Sequence, residues 1–221
     1  MMEVLQLMAQ VVLLPPIGLK KNGYGVFRMN IINNESVLRI REIFGCIITK
    51  KENDNYRLKL KVKRGDAVYP PRLTKGKDSE LLYHSSGEYG AEHWRSWMFS
   101  QEFQVIKGRT GDYWTIGPTA MEIKAIPDLW IMNTIANEKY SFLEIPDAAK
   151  GYGFCSGRVD YERRESEWTT LELICSEDKS LHVVNGEVVM ILKNSRYMYG
   201  GTEITLQKDK IQTQCEAAEV F

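Results

Sequence analysis

The chain has 221 residues, 43% of them hydrophobic and 26% charged, and its 29 Lys and Arg are balanced by 29 Asp and Glu. Zero net charge lacks the basic surplus that displaces counterions from a phosphate backbone, which argues against a nucleic-acid partner. No apolar run reaches the roughly 18 residues of a membrane span, so the composition describes a soluble protein of one or two domains with a sizeable core.

In chain order, Met1–Leu14 is apolar, but its only charge is Glu3. A secretory signal opens on a basic stretch, and Pro15-Pro16 ends any helix. The segment reads as a clipped first strand or a displaced start, and at best as a weak signal. Val37 to Arg41 alternates between apolar and polar residues, and Cys46–Thr49 is a short apolar run. Tyr56–Lys63 alternates strictly. Tyr56, Leu58, Leu60 and Val62 face one way and Arg57, Lys59, Lys61 and Lys63 the other, as in a half-buried antiparallel strand with a solvated basic face. Further strands are expected over Leu81–Ser85, Glu102–Ile106, Trp168–Cys175, Leu181–Val184, Val188–Leu192 and Ile211–Cys215. Asn185-Gly186 joins two of them with the residues that a type I′ hairpin turn needs. Helical periodicity is scarce, and Pro127–Asn137 is the one stretch expected to hold a short helix. Many short strands separated by turn residues indicate a β-sandwich or jelly roll. Cys46, Cys155, Cys175 and Cys215 show no CxxC spacing, so neither a zinc knot nor a redox pair is expected. Cys46 and Cys175 should pack as small hydrophobes.

The chemistry-bearing residues are dispersed. In Ser100–Lys107, alternation puts Glu102 and Gln104 on one face and Phe103 and Val105 on the other, the polar pair roughly 7 Å apart. A carboxylate beside a carboxamide on a concave sheet can serve as a base next to a hydrogen-bond donor. The same alternation describes an ordinary solvated strand face. His84 is a base, a metal ligand or a structural donor on the residues alone. Trp94, Trp97, Tyr113 and Trp114 flank the Glu102 segment, with Arg95, Arg109 and Asp112. Gln212, Gln214 and Glu216 form a second period-two polar row. A two-carboxylate glycosidase strand would need acidic residues where Gln104 and Lys107 stand. Phosphate loops, nucleophile elbows and HExxH helices are absent.

Several segments form an ordered set. They are Cys46-Ile-Ile-Thr-Lys-Lys, Arg64-Gly65-Asp66, Asp78-Ser-Glu-Leu-Leu-Tyr-His84, Glu102-Phe-Gln104, Gly108-Arg-Thr-Gly-Asp-Tyr-Trp114, Trp168-Thr-Thr-Leu-Glu-Leu173, His182-Val-Val-Asn-Gly186 and Ile211-Gln-Thr-Gln-Cys-Glu216. The set resembles the 3-keto-disaccharide hydrolase domain family from about Gly25 to Phe221. The resemblance implies an all-β fold, a concanavalin A-like jelly-roll sandwich of two antiparallel sheets with few short helices. It implies residues 23–221 as one such domain lacking the pattern's last strand, with residues 1–22 divergent or truncated. It implies a carbohydrate substrate, namely glycosides carrying a ketone at C3, whose C2 proton is acidic. A non-catalytic, lectin-like sugar-binding module is the alternative. By matching position, Glu102 is the implied base or acid and Gln104 the substrate orienter. His84 is the second base or a metal ligand, Asp112 and Trp114 sit on a groove-edging loop, and Arg95, Gln212 and Gln214 are further groove residues. No cofactor is required, although an oxygen-rich groove can hold a divalent metal ion. The resemblance also implies a periplasmic or extracellular location. Arg64 and Glu80 depart from the pattern, which favours an aromatic and a glycine at those positions.

Overall fold

The computed structural model describes residues 4–5, 11–14, 27–40, 46–49, 53–70, 72–88, 97–128, 133–145, 153–199, 202–205 and 212–216. In chain order the strands are β1 (Val4–Leu5), β2 (Val11–Leu14), β3 (Phe27–Ile32), β4 (Glu35–Ile40), β5 (Cys46–Thr49), β6 (Arg57–Val62), β7 (Glu80–Ser86), β8 (Phe99–Gln104) and β9 (Tyr113–Ile116). They continue with β10 (Thr119–Asp128), β11 (Asn133–Ala136), β12 (Phe142–Ile145), β13 (Phe154–Cys155), β14 (Thr169–Ser176), β15 (Lys179–Val184), β16 (Glu187–Tyr199), β17 (Thr202–Thr205) and β18 (Gln212–Glu216).

Two sheets form an all-β jelly-roll sandwich. One runs β1-β6-β14-β15-β16-β10-β11, with β12 also on β10 and β17 on β16; the other runs β13-β9-β8-β7-β18-β5-β2. Pairing is antiparallel except for β1 beside β6. Hairpin β3–β4 stands apart, turned by Asn33 and Asn34 at positive φ. The core lies between the two sheets. Leu81, Tyr83, Phe103, Val105 and Tyr113 enter from one side and Leu58, Met121, Ile123, Leu171, Leu173, Met190 and Leu192 from the other. Each such large apolar side chain contributes about 1.5–3 kcal/mol by leaving water.

The basic strand behaves as its alternation predicts. Tyr56 and Leu58 are buried while Lys59 and Lys61 are exposed, and Arg57 and Lys59 pair with Glu172 on neighbouring β14. The Asn-Gly turn is also as expected, with φ of 51° at Asn185 and 89° at Gly186. Cys175 is a buried free thiol in the core, whereas the side chain of Cys46 lies outside the described residues.

The helix expected over Pro127–Asn137 is replaced by strands. β10 runs to Asp128 and pairs back with β11, Pro127 standing opposite Thr134. Proline is tolerated because β10 has left β16 by this point and has only β11 beside it. No helix occurs among the described residues, and none is long and apolar enough to cross a membrane.

Candidate functional site

Strand β8 separates two environments by its pleat. Gln101 and Phe103 face the inter-sheet core, where Phe103 stacks on His182 with centroids 4.3 Å apart. Ser100, Glu102 and Gln104 face the other way. The open, solvated face that alternation suggests for Glu102 and Gln104 is not what the protein has. Glu102 is 3% exposed and Gln104 6%. The outer face of this sheet is itself buried here: Leu82, opposite Glu102, is fully buried, and Ile48, Met98 and Trp97 form a second, small apolar cluster.

Register brings a row of positions across the sheet: Trp114 beside Glu102, then Leu82, then Gln214, then Ile48. The Glu102 Oε1 is buried with no hydrogen-bond partner among the described residues. Burial, then the charges of Glu80, Asp78 and Asp112, hold this carboxyl well above the usual range. The shift favours the neutral form of Glu102. Asp78 is pushed up to about 6 by burial and by Glu80, against the opposing pull of Arg72, Arg64 and Arg109. Arg72 reaches it at 2.6 Å.

His84 sits on a β-bulge. Pairing with β8 passes from Tyr83 opposite Gln101 to Ser86 opposite Phe99, three steps against two. The pairing with β18 passes from Leu82 opposite Gln214 to Ser85 opposite Gln212, again with one residue extra on β7. The extra residue takes positive φ, 51° at His84, a conformation rare for anything but glycine and asparagine. His84 is buried, and neither ring nitrogen has a hydrogen-bond partner among the described residues. Burial pushes its pKa down to about 4, so the imidazole is neutral.

Asp112 immediately precedes β9. Its Oδ1 accepts the Gly157 N–H at 2.7 Å, and its buried Oδ2 makes no hydrogen bond among the described residues, with Arg109 Nε 3.8 Å away. Burial lifts its pKa to about 6, although the Gly157 bond and Arg109 oppose the rise. Trp114, expected on a loop, is instead within β9, because its aromatic-Thr-Ile sequence extends Tyr113 into a strand. Its indole packs on Phe154 at 4.4 Å, and its Nε1 is buried without a partner among the described residues. The Arg109 guanidinium lies 5.7 Å from the Phe154 ring centroid.

The expected role of Gln104 narrows. Its Oε1 accepts the Val105 N–H at 2.9 Å, so the carboxamide oxygen is engaged by backbone. Gln212 and Gln214 stand at register positions opposite Ser85 and Leu82, and their side chains lie outside the described residues, as does Arg95 altogether. Glu102, His84, Asp112 and Trp114 thus sit on three neighbouring strands and the loop between two of them. Sequence reasoning did not single out Asp78, Glu80 or Arg109 as site residues. The period-two pair Asp78 and Glu80, leading into a strand that pairs with Glu102-Phe-Gln104, was the available signal. Among the described residues, no three His, Cys, Asp or Glu side chains are placed to hold a metal ion.

Arg64, a departure from the family pattern, is explained by its partners. It is 4% exposed; its Nε meets Glu162 Oε1 at 2.5 Å, and its other nitrogens reach the carbonyls of Lys77 and Val105 and the Thr110 hydroxyl. An aromatic's volume is replaced by a guanidinium that ties together the loops around Asp112.

The sequence pattern of the 3-keto-alpha-glucoside-1,2-lyase-like domain matches residues 23–221. The chain belongs to that family. Membership places it among carbohydrate-active proteins. No curated protein gives a significant match. Similar solved structures include two from Parabacteroides distasonis ATCC 8503, each described as a "putative glycosyl hydrolase". One has 13% identity and a TM-score of 0.46, covering 87% of this chain and 78% of its own. The other has 14% identity and a TM-score of 0.42, covering 95% and 98%. A Bacillus subtilis protein of unknown function with a galectin-like fold has 8% identity and a TM-score of 0.41, covering 88% and 82%.

Proposed function

We propose that the protein cleaves 3-keto-glycosides at the Glu102 face. The observation that carries the reading is a buried Glu102, one oxygen of which has no hydrogen-bond partner among the described residues, on adjoining strands and a loop that also hold buried His84 and buried Asp112; burial raises the pKa of both carboxyls and lowers that of the imidazole. Such a set separates acid from base without the two symmetric carboxylates of ordinary glycosidases.

The chemistry runs as follows. The Asp112 carboxylate takes the C2 proton, and the C2–H electrons move into the C3 carbonyl to give an enolate. His84 hydrogen-bonds the developing charge. As the carbonyl re-forms, C1=C2 is made and the C1–O bond breaks. The departing oxygen takes the proton of Glu102 and leaves as an alcohol. Water then adds across C1=C2, its hydroxyl to C1 and a proton to C2, giving the free 3-keto sugar. Trp114 supplies an apolar wall for the ring. Half-exposed Arg109 marks the side from which the sugar arrives.

The test is release of the alcohol from a 3-keto-glucoside and from the matching ordinary glucoside, with and without chelator. Release is expected from the keto sugar alone. Glu102→Gln is expected to lower kcat at least ~100-fold, with a pH 7 melting temperature no lower than that of the parent. Burial favours the neutral form of this carboxyl, and a neutral amide of the same shape suits the same surroundings. Full activity in the variant refutes the assignment. Binding of both sugars without product favours the lectin-like alternative. Loss of release on chelation adds a divalent ion to the site.

A further inference from the structure

We propose that His182 is a positioning residue for this site: from the opposite sheet, a single imidazole holds the back of all three segments that carry His84, Glu102 and Asp112. The proposal rests on the reading of the site given above. His182 belongs to β15 and is fully buried in the core. Its Nε2 lies 2.9 Å from the Tyr83 hydroxyl, and Tyr83 precedes His84, with their rings edge-on at 4.9 Å. Its ring stacks on Phe103, which follows Glu102. Its Nδ1 lies 3.0 Å from the Gly111 carbonyl, and Gly111 precedes Asp112. The three contacts therefore reach the immediate chain neighbours of three site residues.

The bonds fix the ring. A carbonyl only accepts, so Nδ1 carries the hydrogen and Nε2 receives the tyrosine O–H. The position of Gly111 is set from the same side. A β-carbon there would stand 2.6 Å from Val189 Cγ2, and Val189 is the extra residue where β16 bulges opposite His182 and Val183. Gly111 also donates its N–H to the Gln104 carbonyl at 2.8 Å. The loop before Asp112 is thus clamped between β8 and the β15–β16 hairpin. Without the imidazole, the Gly111 carbonyl and the Tyr83 hydroxyl lose the partner that sets their places. A misplacement on the order of 1 Å near the reacting atoms costs roughly 100-fold in rate.

The test uses His182→Phe, His182→Gln and Tyr83→Phe in the full chain, with three readouts. These are the melting temperature, the titration of the Asp112 carboxyl carbon followed by NMR, and kcat and KM on a 3-keto-glucoside. The charged groups facing Asp112, namely Arg109, Asp160 and Glu102, are the same in every variant. His182→Phe keeps the stack on Phe103 and is expected to displace the Asp112 titration and lower kcat ~100-fold, with KM altered less than about threefold. His182→Gln can donate to Gly111 and accept from Tyr83, so it is expected to restore kcat to within about tenfold of the parent and the Asp112 titration with it. A parental Asp112 titration and kcat in folded His182→Phe overturn the proposal, as does failure of His182→Gln to rescue either. If His182→Phe does not fold, Tyr83→Phe decides. It removes one hydroxyl and is expected to move the Asp112 titration in part, and an unmoved titration overturns the proposal. If the parent protein cleaves no 3-keto-glucoside, the proposed function falls, while the Asp112 titration still decides the role of His182.

Discussion

Replacing Asp112 by asparagine isolates the energetic cost of the site. An amide oxygen can still accept the Gly157 N–H that Oδ1 holds at 2.7 Å. What is lost is a carboxyl whose pKa stands at about 6 in the fold against an ordinary 3.8. At about 1.4 kcal/mol per pH unit, that gap amounts to roughly 3 kcal/mol. Because the folded value is raised, the stability linked to it is fully present below about pH 3.8 and is lost as pH rises through about 6. Asp78 and Glu102 carry the same sign. His84 and His182 oppose them, with folded values of about 4 and about 3 against 6.5. The unfolded chain binds those protons first, so stability rises with pH up to 6.5. The parent's own pH profile therefore mixes opposing terms. The difference between parent and Asp112→Asn cancels all of them except Asp112 and its coupling to Glu102. Urea unfolding of both proteins in parallel should show the parent losing about 3 kcal/mol relative to the variant between about pH 4 and pH 7. At an m-value of about 2–3 kcal/mol/M, the midpoints move apart by about 1–1.5 M. A difference in stability that does not change with pH would refute the placement of Asp112 in a desolvated acidic group.

Two further outcomes are expected. Arg64→Met should cost about 3–5 kcal/mol, since it leaves the Glu162 carboxylate, whose side chain is 8% exposed, without its paired cation and with only the Gly108 N–H and the Thr110 hydroxyl as neutral donors. Adding Glu162→Gln should recover at least half of that loss in a chemical-denaturation cycle, and strictly additive costs would show that the pair is not coupled. Gly111→Ala should destabilise by more than about 2 kcal/mol, because φ is +105° and the added carbon meets Val189. Gly108→Ala, at φ +81° with nothing within 4 Å, should cost only about 1–2 kcal/mol. Equal melting temperatures for the two alanine variants would contradict the clamp on Gly111.

Legibility in the sequence followed the physics of each segment. Strands with one wet face were readable because alternation records the two environments, as over Arg57–Val62, where exposed Lys59 and Lys61 flank inward Leu58 and Leu60. The Asn185-Gly186 turn was readable because positive φ at two successive residues restricts composition. The course of β10 was not. Its burial alternates from Met121 to Ile126, but it then runs through a proline, and only the pairing with β11 holds that end extended. For the site candidates, neighbourhood in the fold was legible and environment was not. Glu102, His84, Asp112 and Trp114 come together, yet alternation could not reveal that the face opposite the core is also covered. Nor can periodicity foresee the bulge at His84, since one inserted residue alters the parity of everything after it.

The contrast between the two faces of the same strands explains why the outer one reads as a site. On the inner face, polar side chains are matched. Gln101 binds Tyr113, Ser195 and the Ala120 carbonyl, and His182 joins Tyr83 to Gly111. The hydroxyls of Ser86 and Thr115 are the exceptions there among the described residues. One residue further along each segment, on β7, β8, β9 and the loop before β9, both nitrogens of His84 and single atoms of Glu102, Asp112 and Trp114 are buried without hydrogen bonds among the described residues. Each such group costs about 1–3 kcal/mol when left unmet. A fold able to satisfy Gln101 three times over has no structural need to strand its neighbours. On the proposed function, partners that arrive with the ligand would account for the difference, since a ring bearing hydroxyls, a carbonyl and an apolar face presents donors, acceptors and a stacking surface together.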